Sequence, residues 1–140
     1  MVDRILVPTD GSNGSRRAAE RAIEIAATDG AVIHALHVVN MQDIGFAAIP
    51  DDLAETRGHL ERKGTEYVEE IVDMGETAGV EVLTAIEAGI PEDVIVEYVT
   101  DSDVDLVVMG KRGRSGIDRL LVGSTTNRVI GSTDVPVQVV

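Results

Sequence analysis

Short apolar runs alternate with longer amphipathic stretches along the whole chain, and this alternation restricts the possible folds more than any other feature. Runs with the apolar or alternating pattern that is typical of strands lie at residues 5–7, 31–39, 80–89, 104–110 and 135–140. Between them, apolar residues recur at the spacing of one helix face. A repeated order of strand and helix predicts parallel strand pairing, right-handed crossovers and helices on both faces of the sheet.

The predicted helices differ in length and in how clearly they are marked. The longest extends from Leu53 to Ala78, after a predicted loop at residues 40–52, and three internal glycines each weaken it by about 1 kcal/mol relative to alanine: Gly58, Gly64 and Gly75. Pro91 predicts the start of the third helix, and the fourth is expected to begin near Ser124. We therefore expect one α/β domain, residues 1–140, with a doubly wound, open, parallel five-stranded sheet of Rossmann-like strand order 3-2-1-4-5.

The composition excludes several classes of protein. With 140 residues the chain suits one domain, and it has no apolar run near the roughly 20 residues that span a bilayer. No secretory signal is visible and there is no cysteine, so we expect a cytoplasmic protein without disulfides or thiolate metal sites. A formal net charge of −13 argues against a nucleic-acid or anionic-membrane surface, because both need a basic face on the protein.

Acidic residues outnumber basic ones by 25 to 12, and only two of the bases, Lys63 and Lys111, are lysines. Such an acidic, lysine-poor and aromatic-poor surface suggests a salt-rich cytoplasm, where a Debye length of about 3 Å at 1 M salt screens the repulsion between like charges. The alternative is an acidic protein of an ordinary cytoplasm, which the composition alone does not separate from a halophilic one.

The positive charge of the chain is concentrated in one glycine-rich stretch. Residues 111–128 hold one acid, Asp118, and five bases: Lys111, Arg112, Arg114, Arg119 and Arg128. Four glycines lie in or beside the stretch, and three of them, Gly110, Gly113 and Gly123, have the spacing considered below. Basic residues grouped around glycines inside an acidic protein predict a site for an anion, and a solvated surface segment is the alternative.

A ligand site is expected where the parallel strands end. In an open sheet of this type, ligands bind at the carboxyl ends of the strands, where the winding direction reverses. With strands one and four as central neighbours, Pro8, Thr9 and Asp10 line one side of the crevice, and Met109 and Gly110 line the other. The missing side chain of Gly110 would let a ligand approach the main chain, or Gly110 simply ends the strand. Asp10 likewise has turn formation or helix capping as its alternative role.

Two turns in the glycine-rich stretch are predicted to present main-chain N–H groups to this crevice. Gly113 can adopt a positive φ, which turns amides inward. Gly123, Ser124 and Thr125 open the last helix, whose first N–H groups lack internal partners and favour an anion by about 0.3–1 kcal/mol. We therefore expect unpaired amides after strand four and at the head of the last helix to bind a polyphosphate.

Other phosphate, metal and catalytic motifs are missing from the sequence. There is no G-x-x-x-x-G-K-[ST] segment, and the turn after the first strand lacks G-x-G-x-x-G. The histidines, His34, His37 and His59, have no spacing typical of metal ligands, so we interpret all three as structural. No catalytic base is evident, and we assign neither catalytic residues nor protein ligands of a metal.

The spacing Gly110-x2-Gly113-x9-Gly123-Ser124 resembles the nucleotide-binding signature of the universal stress protein family, in its ATP-binding branch. The resemblance covers essentially the whole chain and includes the segments ILVPTDGS, GIPEDVI, DLVVMGKRG, LLVGSTTNRVI and VPVQVV. It implies that ATP is the ligand and that Mg²⁺ or Mn²⁺ bridges its phosphates.

The resemblance also implies a role for each matching position. Pro8, Thr9 and Asp10 would border the adenosine, and Val38 would meet the adenine through its backbone. Met109 and Gly110 would line the ribose end of the site. The remaining matching positions would hold the phosphates: Gly113, Gly123, Ser124 and Thr125.

Dimer formation is predicted on two grounds. The resemblance implies pairing of two copies through the last strand, and the apolar run from Val135 to Val140 would itself be an exposed edge strand that invites pairing. Three functions stay open: an ATP-binding regulatory homodimer that acts on an unknown protein partner, a slow ATPase or phosphotransfer enzyme, and a dimeric scaffold that binds no nucleotide. Intact glycine spacing favours the first function over the scaffold.

Overall fold

The computed structural model describes residues 1–41, 50–111 and 122–140, in which five strands alternate with four helices. The strands are β1 (Arg4–Pro8), β2 (Val32–Asn40), β3 (Val82–Gly89), β4 (Leu106–Met109) and β5 (Val137–Val139). The helices are α1 (Asn13–Asp29), α2 (Pro50–Ala78), α3 (Pro91–Asp101) and α4 (Ser124–Ser132). Of the helices in these ranges, none combines the length and the apolarity that crossing a bilayer requires.

The strands form one parallel sheet in the order β3-β2-β1-β4-β5, which confirms the predicted fold class and strand order. Ile5 in β1 lies opposite Ile33 of β2 and opposite Leu106 of β4. β1 is therefore the centre of the sheet, and the chain winds from it in one direction to β3 and in the other to β5. The winding direction reverses between β1 and β4, where the sequence places the ligand crevice.

Two apolar cores cover the two faces of the sheet, as expected for a doubly wound fold. Ile5 and Val7 pack with buried residues of α1 and α2 on one face. Leu6, which points the opposite way, packs with buried residues of α3 and with Val129 of α4 on the other face. All three β1 side chains are fully buried, which explains why their run in the sequence is continuously apolar.

The segment between β2 and α2 differs from the predicted loop at residues 40–52. Asn40 is the last residue of β2, and α2 begins at Pro50, where a proline suits the first turn because that turn has no internal acceptor for its N–H groups. Residues 42–49 lie outside the described ranges. At the C-terminus, β5 is shorter than the predicted strand and comprises three residues.

Two of the glycines that weaken α2 are explained by tertiary packing. A Cβ atom at Gly64 would lie 2.3 Å from Cδ2 of His37, and one at Gly75 would lie 2.5 Å from Cγ2 of Val82. Both glycines therefore let the helix approach the sheet more closely than any other residue would. The packing gained offsets the helix propensity that each glycine costs.

Candidate functional site

A cavity of about 560 Å³ lies at the carboxyl ends of the central strands. Its volume is within the range of small-molecule sites, which is about 300–1,000 Å³. Nine of the ten residues predicted to form the site line it: Pro8, Thr9, Asp10, Val38, Met109, Gly110, Gly123, Ser124 and Thr125. The tenth, Gly113, lies outside the described residues, as do Arg112, Arg114 and Arg119 of the basic stretch. The structure thus brings the described residues together, and their contacts with a nucleotide stay a prediction.

The turn between β1 and α1 forms one wall of the cavity and is closed by its own side chains. Asp10 Oδ1 accepts a hydrogen bond from the Ser12 amide at 3.0 Å. Ser12 is the N-cap of α1, and its Oγ accepts from the Ser15 amide at 3.2 Å. The buried Ser15 hydroxyl lies 3.2 Å from Thr9 Oγ1 and 3.3 Å from Asp10 Oδ1. Asp10 therefore shapes the turn, which was its alternative role, while it also lines the cavity.

His37 fixes this turn from the neighbouring strand. Its Nδ1–H donates to the Thr9 carbonyl oxygen at 2.7 Å. The ring packs edge-on against Tyr67 of α2, with 5.4 Å between centroids and an interplanar angle of 69°. A Cβ atom at Gly11 would lie 2.3 Å from the Tyr67 ring, so a glycine with φ of 77° lets this ring cover the turn. The His37 and Tyr67 side chains thus join β1, β2 and α2 into one wall of the cavity.

The interpretation of the histidines as structural is incomplete, because His37 and His59 both line the cavity. His34 does not line it. Its Nδ1 lies 2.8 Å from the Tyr98 hydroxyl, and burial, helped by the nearby Arg4, lowers the pKa of His34. Within the described ranges, no group of three or more His, Cys, Asp or Glu side chains has the arrangement that a metal ion needs.

Gly110 is a glycine because α1 packs directly against it. A Cβ atom at this position would lie 2.7 Å from the carbonyl carbon of Gly14 and 2.8 Å from its oxygen. Backbone atoms cannot move aside as a side chain can, so the first turn of α1 excludes every larger residue. The Gly110 carbonyl in turn accepts a hydrogen bond from Thr126 Oγ1 at 3.0 Å, which ties the end of β4 to α4. This packing accounts for Gly110, and the approach of a ligand to its main chain stays a prediction.

The predicted unpaired amides of the Gly113 turn lie outside the described residues, and the amide of Lys111, which precedes that turn, is paired. Its N–H donates to the Val140 carbonyl oxygen at 3.0 Å, and its own carbonyl oxygen accepts from the Gly123 amide. These bonds extend the pairing of β4 with the C-terminal strand by one residue and place the head of α4 beside it. The amides that remain for an anion in the described part of this segment are therefore those of the first turn of α4.

That first turn is built to receive an anion. Its N-cap is Gly123, with extended φ and ψ of −62° and 156°, so no side chain caps the helix. The first turn holds no acid, and no carbonyl one turn earlier in the helix accepts the N–H groups of Ser124 and Thr125. Both residues line the cavity. The positive end of the helix dipole thus faces the cavity without a counter-charge from its own helix.

α3 also begins beside the cavity, at Pro91, but it carries its own counter-charge. Glu92 and Asp93 lie in its first turn. Arg128 of α4 contacts Glu92, with 2.5 Å between Nη1 and Oε1. Partial burial acts to raise the pKa of Glu92, but the backbone hydrogen bond and Arg128 outweigh it and lower the pKa. Arg128, one base of the predicted anion-binding stretch, therefore joins α3 to α4 through this ion pair.

One wall of the cavity is formed by α2, which no motif in the sequence marks as part of a site. His59, Lys63 and Tyr67 line it from α2 and, four residues apart, share one face of that helix. The position of α2 at the cavity could have been inferred from the predicted fold, although no motif marks it. A helix that follows a parallel strand must run back over the sheet, so its first turns start above the carboxyl ends of the strands.

Comparisons with known proteins agree with this architecture. The family model described as the universal stress protein family matches residues 1–140. Universal stress protein MJ0531 of Methanocaldococcus jannaschii is 36% identical over 142 residues, which cover 98% of this chain and 81% of that protein. Universal stress protein MJ0577 of the same organism is 30% identical over 154 residues, covering 100% of this chain and 95% of that protein.

Solved structures show the same likeness. The structure of hypothetical protein MJ0577 superposes with a TM-score of 0.90 at 29% identity, covering 100% of this chain and 96% of that one. A crystal structure of a universal stress protein in complex with cAMP superposes with a TM-score of 0.72 at 26% identity, covering 99% of this chain and 97% of that one.

Proposed function

The chain belongs to the universal stress protein family, and from this premise we propose that it binds ATP in the cavity at the carboxyl ends of its strands. The observation that carries the proposal is the head of α4, which opens onto the cavity with a glycine N-cap and no acid in its first turn. An anion is the group that such a helix end favours. The cAMP complex of a similar protein supports a nucleotide as the bearer of that anion.

The proposed orientation of the ligand follows the two ends of the cavity. The adenosine lies against Pro8, Thr9 and Asp10, and the backbone of Val38 meets its base. Met109 and Gly110 border the ribose. The triphosphate lies at the first-turn amides of α4, beside Ser124 and Thr125, and Gly113 is the further residue proposed to hold it.

A divalent cation fits this site only through the ligand. The described residues offer no cluster of acids and histidines for a cation, whereas Mg²⁺ commonly binds one or two protein groups together with phosphate oxygens and water. We therefore assign Mg²⁺ or Mn²⁺ to the phosphates, where its charge would reduce their mutual repulsion. Removal of the cation should weaken the binding of ATP more than the binding of adenosine.

We propose that two copies of the chain pair through the outer edge of β5. The inner edge is occupied, because β5 pairs with β4 and the Val140 amide donates to the Met109 carbonyl oxygen at 2.9 Å. Among the described strands β5 is the last in the sheet order, so a second copy could pair with the main-chain groups of its outer edge. Size-exclusion chromatography with light scattering would measure the mass, and a monomer at all concentrations would refute the pairing.

The function that fits this site best is regulation through nucleotide occupancy, with an unknown protein as the partner that senses it. The titratable groups at the β1 end of the cavity are engaged: Asp10 accepts from the turn, and His37 donates to Thr9. The sequence offers no evident candidate for a base that would activate an attacking water. We expect hydrolysis of ATP to be slow.

Extraction of small molecules from freshly purified protein tests the proposal. ATP in near-stoichiometric amount is the expected result. ADP, together with phosphate release that depends on Mg²⁺, would favour the slow enzyme instead. No bound nucleotide, and no heat of ATP binding in calorimetry at either low or high salt, would leave the dimeric scaffold. Binding that requires high salt would in addition support the halophilic origin that the acidic composition suggests.

A further inference from the structure

α2 projects a basic side chain over the cavity, although the rest of the helix is acidic. The helix carries nine acids and three bases: Arg57, Arg62 and Lys63. Of these bases Lys63 alone is among the residues that line the cavity. The whole chain has only two lysines, and the other, Lys111, lies two residues after the end of β4.

The position of Lys63 relative to the cavity is fixed by a tight contact one helical turn away. Tyr67 lies about 6 Å further along the helix axis. Its ring packs on Gly11 and against His37, so α2 cannot slide or rotate without breaking the wall of the site. Gly64, next to Lys63, is buried and accommodates the His37 ring. The Lys63 side chain therefore starts from a rigid position at the rim of the cavity.

The ammonium group of Lys63 is only loosely engaged by its own helix. Within the described residues, the acid in ion-pair range is Glu66, with 3.9 Å between Nζ and Oε2. This separation exceeds the length of a hydrogen bond. Arg57, by contrast, has Nε at 2.9 Å from Glu61 Oε1. The Lys63 side chain is 49% exposed, so it can turn toward a ligand without losing a buried contact.

We infer that Lys63 is a phosphate-binding residue of this cavity, and that its ammonium group contacts the phosphates of the ligand. The inference rests on the nucleotide-binding function proposed above and adds a determinant of selectivity to it. The amides of α4 form a fixed donor set, whereas Lys63 is a mobile point charge that follows the phosphates. It makes the cavity prefer phosphorylated nucleotides to nucleosides.

The electrostatic need for such a residue comes from α2 itself. With nine acids against three bases, the helix that forms this wall carries a net negative charge beside the cavity. A polyphosphate beside that wall would be repelled unless a base neutralised the field locally. An acidic helix with one lysine placed at the cavity lets the rest of the surface stay acidic while the site accepts an anion.

Calorimetry on the full-length protein with three ligands, ATP, adenosine and inorganic tripolyphosphate, tests the inference. Lys63→Gln should weaken ATP and tripolyphosphate about three- to tenfold, as expected for one partly exposed charge-assisted contact, and leave adenosine unchanged. Lys63→Arg should retain the preference for ATP. Arg62→Gln is the matched control, because it removes the adjacent base of the same helix from outside the cavity, and it should leave all three affinities unchanged.

Each of the other outcomes contradicts either the phosphate contact of Lys63 or the proposed function. Equal weakening of ATP and adenosine by Lys63→Gln would show that Lys63 only supports the wall, and unchanged ATP affinity would show that it is a surface residue. If Arg62→Gln weakened the binding of ATP as much as Lys63→Gln does, the cause would be the overall charge of the helix rather than a contact of Lys63 with the phosphates. If the wild-type protein bound none of the three ligands, the proposed function itself would fail before any variant was compared.

Discussion

The first turns of α1 and α4 both lie at the carboxyl edge of the sheet, but a side chain caps the amides of α1 and none caps those of α4. α1 follows β1, and the Ser12 side chain caps it by accepting from the Ser15 amide. α4 is preceded by Gly123, which has no side chain to cap with. The backbone geometry at both N-caps is extended, so the difference comes from one side chain. The first-turn amides of these two helices are therefore available to a ligand only where the N-cap residue has no side chain that accepts from them.

α3 shows a third way to satisfy a helix end at the same edge. It has no side-chain cap, but Glu92 and Asp93 supply negative charge within its first turn. A phosphate placed there would meet two carboxylates. The N-terminus of α1 is thus capped by a side chain, that of α3 is neutralised by its own acids, and that of α4 has neither. Only the N-terminus of α4 carries a predicted phosphate contact. This comparison can be tested by converting one kind of helix end into another.

The largest effect is expected from closing the head of α4. Gly123→Asp places a carboxylate at the N-cap, where it accepts from the first-turn amides and repels phosphate. We expect the affinity for ATP to fall about 10- to 100-fold, the range for loss of hydrogen bonds to a charged group. Stability should rise by a few tenths of a kcal/mol, because aspartate caps a helix better than glycine does. Calorimetry and urea unfolding of the same samples would show the two opposite changes.

Gly123→Asn serves as the control for charge, since asparagine caps as well as aspartate but is neutral. It should weaken ATP less than Gly123→Asp does. Wild-type affinity in both variants would mean that the first-turn amides of α4 do not contact the phosphates, and the proposed site would have to be abandoned.

A smaller effect is expected from opening the head of α1. Ser12→Ala removes the cap and should lower the free energy of unfolding by about 1 kcal/mol. ATP affinity should stay unchanged, because Ser12 is outside the set of residues that line the cavity. Ser12→Asn restores a cap and should recover the stability. A gain in ATP affinity on Ser12→Ala would show instead that the α1 head accepts phosphate once it is uncapped.

The smallest effect is expected at α3. Glu92→Gln breaks the ion pair with Arg128 and should cost less than about 1 kcal/mol at neutral pH, as for other exposed pairs. Because the pKa of Glu92 is lowered in the folded state, the carboxylate contributes stability above the ordinary pKa of glutamate and loses it as the pH falls through the lowered value. Urea unfolding of both proteins over this range should show the wild-type advantage vanish in acid. An advantage that grows toward acid would contradict this assignment.

The sequence predicted the fold and much of the candidate site because both depend on local patterns. The apolar run at Ile5, Leu6 and Val7 marks a strand buried on both faces, whatever lies next to it. Gly123 followed by Ser124 marks the start of a helix after a turn, and the parallel order then places that start at the ligand edge. The residues identified in this way are those at the ends of the strands.

The residues that sequence reasoning missed or misassigned depend on contacts between distant segments. The amide of Lys111 donates to the Val140 carbonyl oxygen. Gly110 lines the cavity as predicted, but the contact that excludes a side chain there is with the backbone of Gly14. No local pattern reports either contact, because each joins elements far apart along the chain.

By itself, then, the sequence determined the order of strands and helices, the edge at which a ligand could bind and the helix whose head is uncapped. Periodic burial and N-cap identity are properties of neighbouring residues, so they can be inferred from short segments. Only the tertiary structure decided that α2 forms a wall of the cavity and that Lys63 lies in it. That placement follows from the docking of Tyr67 on Gly11 and of His37 on Gly64, where glycines set how closely a helix approaches the sheet.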